Sequence, residues 1–95
     1  MSKLKQYKMF INGEWVDSES KKTFETLNPE NNEPWAIVPE ASAKDTDKAV
    51  QAAQKAFEGE WPKLLPRERA KFLRAIGYQL RKNAEMLGEI ETIDT

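Results

Sequence analysis

Asp94, in the stretch ETIDT at residues 91–95, has the most unusual placement of any ionisable residue in this sequence. Apolar residues at helical spacing lead up to it, which puts it in the last turn of a predicted helix. Backbone carbonyls already make the field there negative, and an added carboxylate is disfavoured by about 0.3 kcal/mol or more. Either the carboxylate has a cationic partner, or the chain is cut before the glycine that normally ends a helix.

The spacing also predicts on which face of the helix the Asp94 side chain lies. It lies seven residues after Leu87 and four after Ile90, near the apolar face of the helix. A carboxylate directed towards a core breaks the local rules, as residues of functional sites often do. An ordinary hydrogen bond, a salt bridge or solvent exposure would explain it. The alternative is coordination of a monovalent cation with backbone carbonyls of a loop such as 26–28, because hard cations take oxygen ligands.

Composition excludes several other chemistries from these 95 residues. The chain has no Cys and no His, so disulfides, thiolate metal sites, a cysteine nucleophile and imidazole catalysis are absent from it. Its glycines, at positions 13, 59, 77 and 88, are too dispersed for a dinucleotide-binding or P-loop motif. We therefore predict no catalytic and no cofactor-binding residue within this segment.

Charge gives no sign of an anionic partner. Lys and Arg number 15 against 16 Asp and Glu, a net charge of -1. A basic stripe on one predicted helix is formed by Arg67, Lys71, Arg74, Tyr78, Arg81 and Lys82. Such a stripe is typical of a solvated helix face, so we predict neither nucleic acid nor membrane as a partner. The polar start MSKLKQYKMF has no signal-peptide pattern, and a cytoplasmic location is the expectation.

Residues 7–39 are predicted to form two β-hairpins. The dipeptide Asn12-Gly13 suits a two-residue turn and lies between apolar-rich flanks. Residues 23–27 and 34–39 suit two further strands, joined by a turn that begins at Asn28-Pro29. This second pair forms the second hairpin.

Residues 43–94 are predicted to be helical, in two or three helices. Ser42 and Asp45 resemble a capping box before a helix at 43–58, which Gly59 ends. Pro66 suits the first position of the next helix, and Asn83 can cap a further turn within 66–94. The order of strands and helices predicts an α+β fold in which the helices cover one face of a small antiparallel unit.

Several segments together resemble a known family. They occur in one order along the chain: MFINGEWVDS, TFETLNPENNE, VPEASAKDTDKAVQAAQKAF, LPRERAKFLRAIGYQL and NAEMLGEIETIDT. From about Lys8 to Thr95 the chain resembles the N-terminal segment of the NAD(P)-dependent aldehyde dehydrogenase superfamily. The resemblance implies that residues 1–95 are the N-terminal part of the α/β coenzyme-binding domain of an oxidoreductase.

The resemblance also implies an activity for a longer parent protein. In this family a cysteine thiolate attacks an aldehyde, hydride passes to NAD or NADP, and a glutamate activates water to release the carboxylic acid. This chain has no Cys, so it is expected to be an inactive scaffold that partners the remainder of the dehydrogenase. The parent is expected to be a homodimer or homotetramer acting on a small aldehyde.

Some relatives hold a monovalent cation, K⁺ or Na⁺, with two backbone oxygens before Asn-Pro and with the helix-end aspartate. The matching residues here are Thr26, Leu27 and Asp94. The family pattern continues past Thr95 with Gly and Lys, which fits truncation.

A different class of function is the alternative hypothesis. The chain would be a stand-alone, non-catalytic α+β interaction module, whose aromatic residues would form the partner surface.

Overall fold

The computed structural model describes residues 4–95 of the chain. Five strands come first and three α-helices follow, in the predicted order. The strands are β1 (Lys5–Gln6), β2 (Met9–Ile11), β3 (Glu14–Val16), β4 (Thr23–Asn28) and β5 (Glu33–Pro39). The helices are α1 (Ala43–Glu58), α2 (Pro66–Lys82) and α3 (Ala84–Asp94), with a short 3-10 turn at Trp61–Lys63. The α+β class, with two hairpins followed by helices, is therefore confirmed.

The first hairpin, β2–β3, forms where the Asn-Gly signal predicts it. Asn12 and Gly13 have φ angles of 54° and 77°, the left-handed values that a tight two-residue turn needs. The turn fixes the register of the hairpin, in which Phe10 lies opposite Trp15. Their ring centroids are 4.8 Å apart, so the two aromatic side chains contact each other across the strands.

The second hairpin, β4–β5, belongs to a separate three-stranded sheet in the order β1–β5–β4. Strand β1 pairs with β5 in parallel, with Lys5 opposite Ala36. The single antiparallel unit predicted from the sequence is therefore wrong in two respects: there are two sheets, and one is mixed. A two-residue strand carries too little periodicity to be recognised in a sequence.

The caps of the helices follow the sequence closely at α1 and α2. Ser42 and Asp45 form the predicted capping box, and Pro66 occupies the first turn of α2. Asn83 differs from the expectation. Its side chain donates to the Gln79 carbonyl at 2.8 Å, one turn back, and caps no N–H of α3. The Asn83 side chain therefore closes α2, while its backbone carbonyl accepts the first hydrogen bond of α3, from the Leu87 N–H at 3.0 Å.

The sequence predicted that the helices cover one face of one sheet. In the structure they do not. Helix α1 contacts β2, whereas α3 contacts β4 and packs beside α2. Ala36 is the one fully buried apolar residue of the described chain. The radius of gyration is 16.9 Å, against about 12 Å for a compact domain of this length. The chain is thus extended, with much of its apolar surface uncovered.

Within residues 4–95, fifteen large apolar side chains are exposed, and seven of them lie on α2 and α3. A groove between these helices is lined by Phe72, Ala75, Ile76, Leu80, Met86 and Leu87. Leu73, also on α2, is 63% exposed. Within residues 4–95, no helix is both long and apolar enough to cross a bilayer. The groove is an exposed apolar face of the kind that marks interaction sites in proteins.

Candidate functional site

Asp94, at the end of α3, lies against the three-stranded sheet. Its Oδ1 atom accepts a hydrogen bond from the Thr26 hydroxyl at 2.8 Å and a second from the Trp35 indole Nε1 at 3.3 Å. The partners that the structure shows are therefore neutral donors. They compensate in part for placing a carboxylate at the negative end of a helix.

A bulge in the sheet places these two donors side by side. Thr26 on β4 is opposite Ala36 on β5, but Leu27 is opposite Pro34, so Trp35 is the extra residue of the irregularity. A bulge re-aims the side chain at that point of a strand. The Trp35 ring thereby reaches the carboxylate of α3, 59 residues further along the chain.

Aromatic and aliphatic side chains surround this contact. The lining consists of Tyr7, Phe24, Thr26, Trp35, Ala36, Val38, Ile90 and Asp94. The rings of Tyr7 and Trp35 meet edge to face, with centroids 6.3 Å apart. The site is a mainly apolar recess with a carboxylate at its rim.

Two of the three predicted cation-site residues come together in the structure. Thr26 and Asp94 are in direct contact, although through the Thr26 hydroxyl and not through its backbone oxygen. Leu27 follows Thr26 across the bulge, and among the polar contacts of residues 4–95 none joins it to Asp94. Cation binding by Thr26, Leu27 and Asp94 stays a prediction. Trp35 was missed, because the sequence gives no sign of the bulge that directs it.

The described residues contain no group of three or more His, Cys, Asp or Glu side chains that could hold a metal ion. A divalent site with a full set of carboxylate ligands is therefore not formed within residues 4–95. The glycines, at positions 13, 59, 77 and 88, do not have the spacing of a glycine-rich phosphate-binding loop.

A second polar cluster surrounds Asp45, which is only 3% exposed. Its carboxylate accepts from the Ser42 N–H at 2.8 Å and from the Ser42 hydroxyl at 3.0 Å. The Glu19 N–H, from the segment between the two hairpins, donates to both Asp45 oxygens at 3.1 and 3.2 Å. Asp45 therefore ties that segment to the start of α1. The sequence predicted the contact with Ser42 but not the one with Glu19.

These donors lower the pKa of Asp45. The Ser42 backbone N–H contributes most; burial acts in the opposite direction, and the Glu19 N–H and Ser42 hydroxyl lower the pKa further. A carboxylate held ionised by three fixed donors suits a structural tie and does not suit proton transfer at neutral pH. The cluster adds no catalytic group to the segment.

The geometry thus defines an α+β unit with two polar clusters, one at Asp94 and one at Asp45. The aldehyde dehydrogenase family model matches residues 15–95. The chain belongs to the aldehyde dehydrogenase family, as an N-terminal segment of the superfamily, which confirms the resemblance seen in the sequence.

Curated relatives agree with this assignment. The chain is 45% identical over 86 residues to an aldehyde dehydrogenase of Aspergillus niger, an alignment covering 90% of this chain and 17% of that protein. It is 39% identical over 95 residues to aldehyde dehydrogenase family 2 member C4 of Arabidopsis thaliana, covering 99% of this chain and 19% of that protein. The chain therefore spans less than a fifth of the length of these relatives.

Solved structures show the same fold. An aldehyde dehydrogenase from Bacillus cereus superposes with a TM-score of 0.89 at 41% identity, covering 95% of this chain and 18% of that one. Betaine aldehyde dehydrogenase from Staphylococcus aureus, in complex with NAD⁺, superposes with a TM-score of 0.88 at 39% identity, covering 93% and 18%. The extended arrangement of sheets and helices thus matches a segment of larger, complete enzymes.

Proposed function

We propose that this chain is the N-terminal scaffold of a longer NAD(P)-dependent aldehyde dehydrogenase, which oxidises an aldehyde to a carboxylic acid through a cysteine thioester. The family match over residues 15–95 is the observation that carries the proposal. The NAD⁺ complex of the Staphylococcus aureus relative supports a nicotinamide cofactor for the whole protein.

The chemistry itself is assigned to residues outside this chain. The segment has no Cys to form a thioester and no glycine-rich loop to hold a dinucleotide. Its relatives include enzymes named for betaine aldehyde and for 10-formyltetrahydrofolate. A segment shared by such different enzymes does not select the aldehyde, so the proposal is limited to the substrate class.

The exposed apolar groove between α2 and α3 supports the scaffold role. Phe72, Ile76, Leu80 and Met86 are each between 46% and 55% exposed, far more than residues of a finished core. Packing of the remaining dehydrogenase chain on this face would remove that surface from water. The assignment of residues 1–95 to the coenzyme-binding domain is part of the same proposal.

Two activity measurements test the enzyme proposal. The 95-residue chain, supplied with NAD⁺ or NADP⁺ and a panel of aldehydes, is expected to give no reduced cofactor by absorbance. The protein encoded by the complete reading frame is expected to give it. Turnover by the segment alone, or a complete reading frame that supplies no nucleophilic Cys, would contradict the proposal.

The monovalent cation is a separate proposal for the recess at Asp94. Oxygen atoms of Thr26, Leu27 and Asp94 would hold K⁺ or Na⁺, with further ligands from the rest of the protein. The measurement is the thermal midpoint of the complete enzyme in KCl, NaCl and choline chloride at equal ionic strength. A metal-dependent rise that Asp94→Asn abolishes is expected. An equal midpoint in all three salts would refute it.

Assembly and location complete the proposal. We propose a homodimer or homotetramer for the full protein, to be tested by light scattering, and a cytoplasmic location, to be tested by imaging a tagged protein.

The exposed aromatics also fit a second candidate function, a stand-alone, non-catalytic interaction module. A monomeric segment with a cooperative thermal transition and a dispersed NMR spectrum would favour that alternative.

A further inference from the structure

The turn of the first hairpin exposes an Asn-Gly peptide bond. Asn12 and Gly13 are both exposed, at φ angles of 54° and 77°. No heavy atom outside the neighbouring residues would lie within 4 Å of a side chain added at Gly13. Within residues 4–95, asparagine side chains form hydrogen bonds at Asn28, Asn31 and Asn83 and not at Asn12, so no side-chain bond holds the Asn12 amide.

We propose that Asn12 is a site of spontaneous deamidation in this protein. The Gly13 backbone nitrogen attacks the Asn12 side-chain carbon Cγ, a C–N bond forms, and the side-chain nitrogen leaves as ammonia. Water then opens the resulting five-membered succinimide at either carbonyl. The products are aspartate and isoaspartate, and the sequence of steps needs no oxidant, reductant or cofactor.

The other asparagines of the described chain differ from Asn12 in one of two ways. Asn28, Asn31 and Asn83 have side chains engaged in hydrogen bonds with Glu30, Glu33 and Gln79. Asn32 is exposed, also has a positive φ, of 59°, and makes no such side-chain bond within residues 4–95. It is followed by Glu33, whose side chain crowds the attacking nitrogen. Asn32 is therefore an internal control in which the Glu33 side chain and the bond from the Glu33 N–H to the Asn31 Oδ1, at 3.0 Å, both oppose the attack.

The attack also requires the turn to open, because the closed turn fixes the backbone on both sides of the reacting atoms. The hairpin has only three opposed residue pairs. Two-stranded sheets of this size are marginally stable, and short elements at the edge of a structure open locally without global unfolding. Asn12 thus reaches the reactive geometry from the folded chain.

The two products affect the hairpin differently. Aspartate keeps the length of the backbone, and Asp-Gly suits the same turn. Isoaspartate carries the chain through the side-chain carbon and adds an atom to the backbone of a two-residue turn. The register that places Phe10 opposite Trp15 cannot then be kept, and their contact at 4.8 Å is lost.

The test is incubation of the folded chain in mildly alkaline buffer, followed by peptide mapping with mass spectrometry that separates aspartate from isoaspartate. Most of the early deamidation is expected at Asn12, with little at Asn32. Asn12→Gly keeps a turn-compatible residue and is expected to remove this signal. Glu33→Gly places a glycine after Asn32 and is expected to create a second reactive site.

Three outcomes would overturn the proposal. Equal deamidation at Asn12 and Asn32 would show that the following glycine does not direct the reaction. An intact Asn12 in the folded chain, together with rapid modification in denaturant, would show that the turn protects it. Release of ammonia that persists unchanged in Asn12→Gly would place the reaction elsewhere.

Discussion

Replacing Asp94 by Ala should destabilise the chain, whereas replacing it by Asn should not. Ala removes the acceptor of two hydrogen bonds, from Thr26 at 2.8 Å and from Trp35 at 3.3 Å. Bonds to a charged group contribute about 1.5–3 kcal/mol, but Asp94 is exposed, so the range for neutral pairs, about 0.5–1.5 kcal/mol each, is more suitable. The two bonds together then contribute about 1–3 kcal/mol.

The helix field acts against this contribution. Removing a negative charge from a helix C-terminus stabilises the helix by about 0.3–1 kcal/mol. For Asp94→Ala the net loss is therefore about 1 kcal/mol, a fall of about 4–8 °C in melting temperature for a domain of this size. Asn keeps an acceptor oxygen and loses the charge, so Asp94→Asn should equal the original chain or exceed it slightly.

Urea unfolding followed by circular dichroism measures these differences. Trp35→Phe, which removes the indole N–H and keeps an aromatic ring, completes a double-mutant cycle with Asp94→Ala, and a positive coupling energy is expected. If Asp94→Asn loses as much stability as Asp94→Ala, the negative charge itself stabilises the contact and the reasoning is wrong. A coupling energy of zero would show that the Trp35 bond contributes nothing.

Three further predictions concern caps and turns, each checked by the free energy of unfolding. Ser42→Ala should cost about 1 kcal/mol by loss of the N-cap, and Ser42→Gly only a few tenths; an unchanged free energy of unfolding in Ser42→Ala would show that the hydroxyl is not used. Because the pKa of Asp45 is lowered on folding, its stabilisation should be present above the unfolded-state pKa and lost as the pH falls through the folded-state value, and Asp45→Asn should remove that acid-dependent loss. Gly13→Ala, at a φ of 77°, should destabilise the hairpin by about 1–2 kcal/mol, and an unchanged Trp15 fluorescence transition would contradict this.

The features that the sequence predicts well are those set by local rules. Asn12-Gly13 specifies a turn through backbone angles alone, and Ser42, Asp45 and Pro66 mark helix starts through hydrogen bonds within one turn. The bounds of α1, Ala43–Glu58, agree with the predicted 43–58 for this reason.

The features that the sequence does not predict depend on distant contacts. The parallel pairing of Lys5–Gln6 with β5 joins segments about thirty residues apart and leaves no local pattern. The bond from Glu19 to Asp45 spans 26 residues, and the bulge at Trp35 is a property of two strands together. For the same reason, the neutral partners of Asp94 were found only in the structure.

The contact between Thr26 and Asp94 also determines when the recess can form. The two residues are 68 positions apart, so a ribosome that makes the chain from its N-terminus delivers both hairpins long before the carboxylate. The entropy of closing a long loop grows slowly, by about 0.6 kcal/mol for each doubling of length. The closure is late, and its entropic cost rises only slowly with the length of the chain between the two residues. During synthesis, the indole N–H of Trp35 therefore gains its Asp94 acceptor only after the end of α3 has emerged.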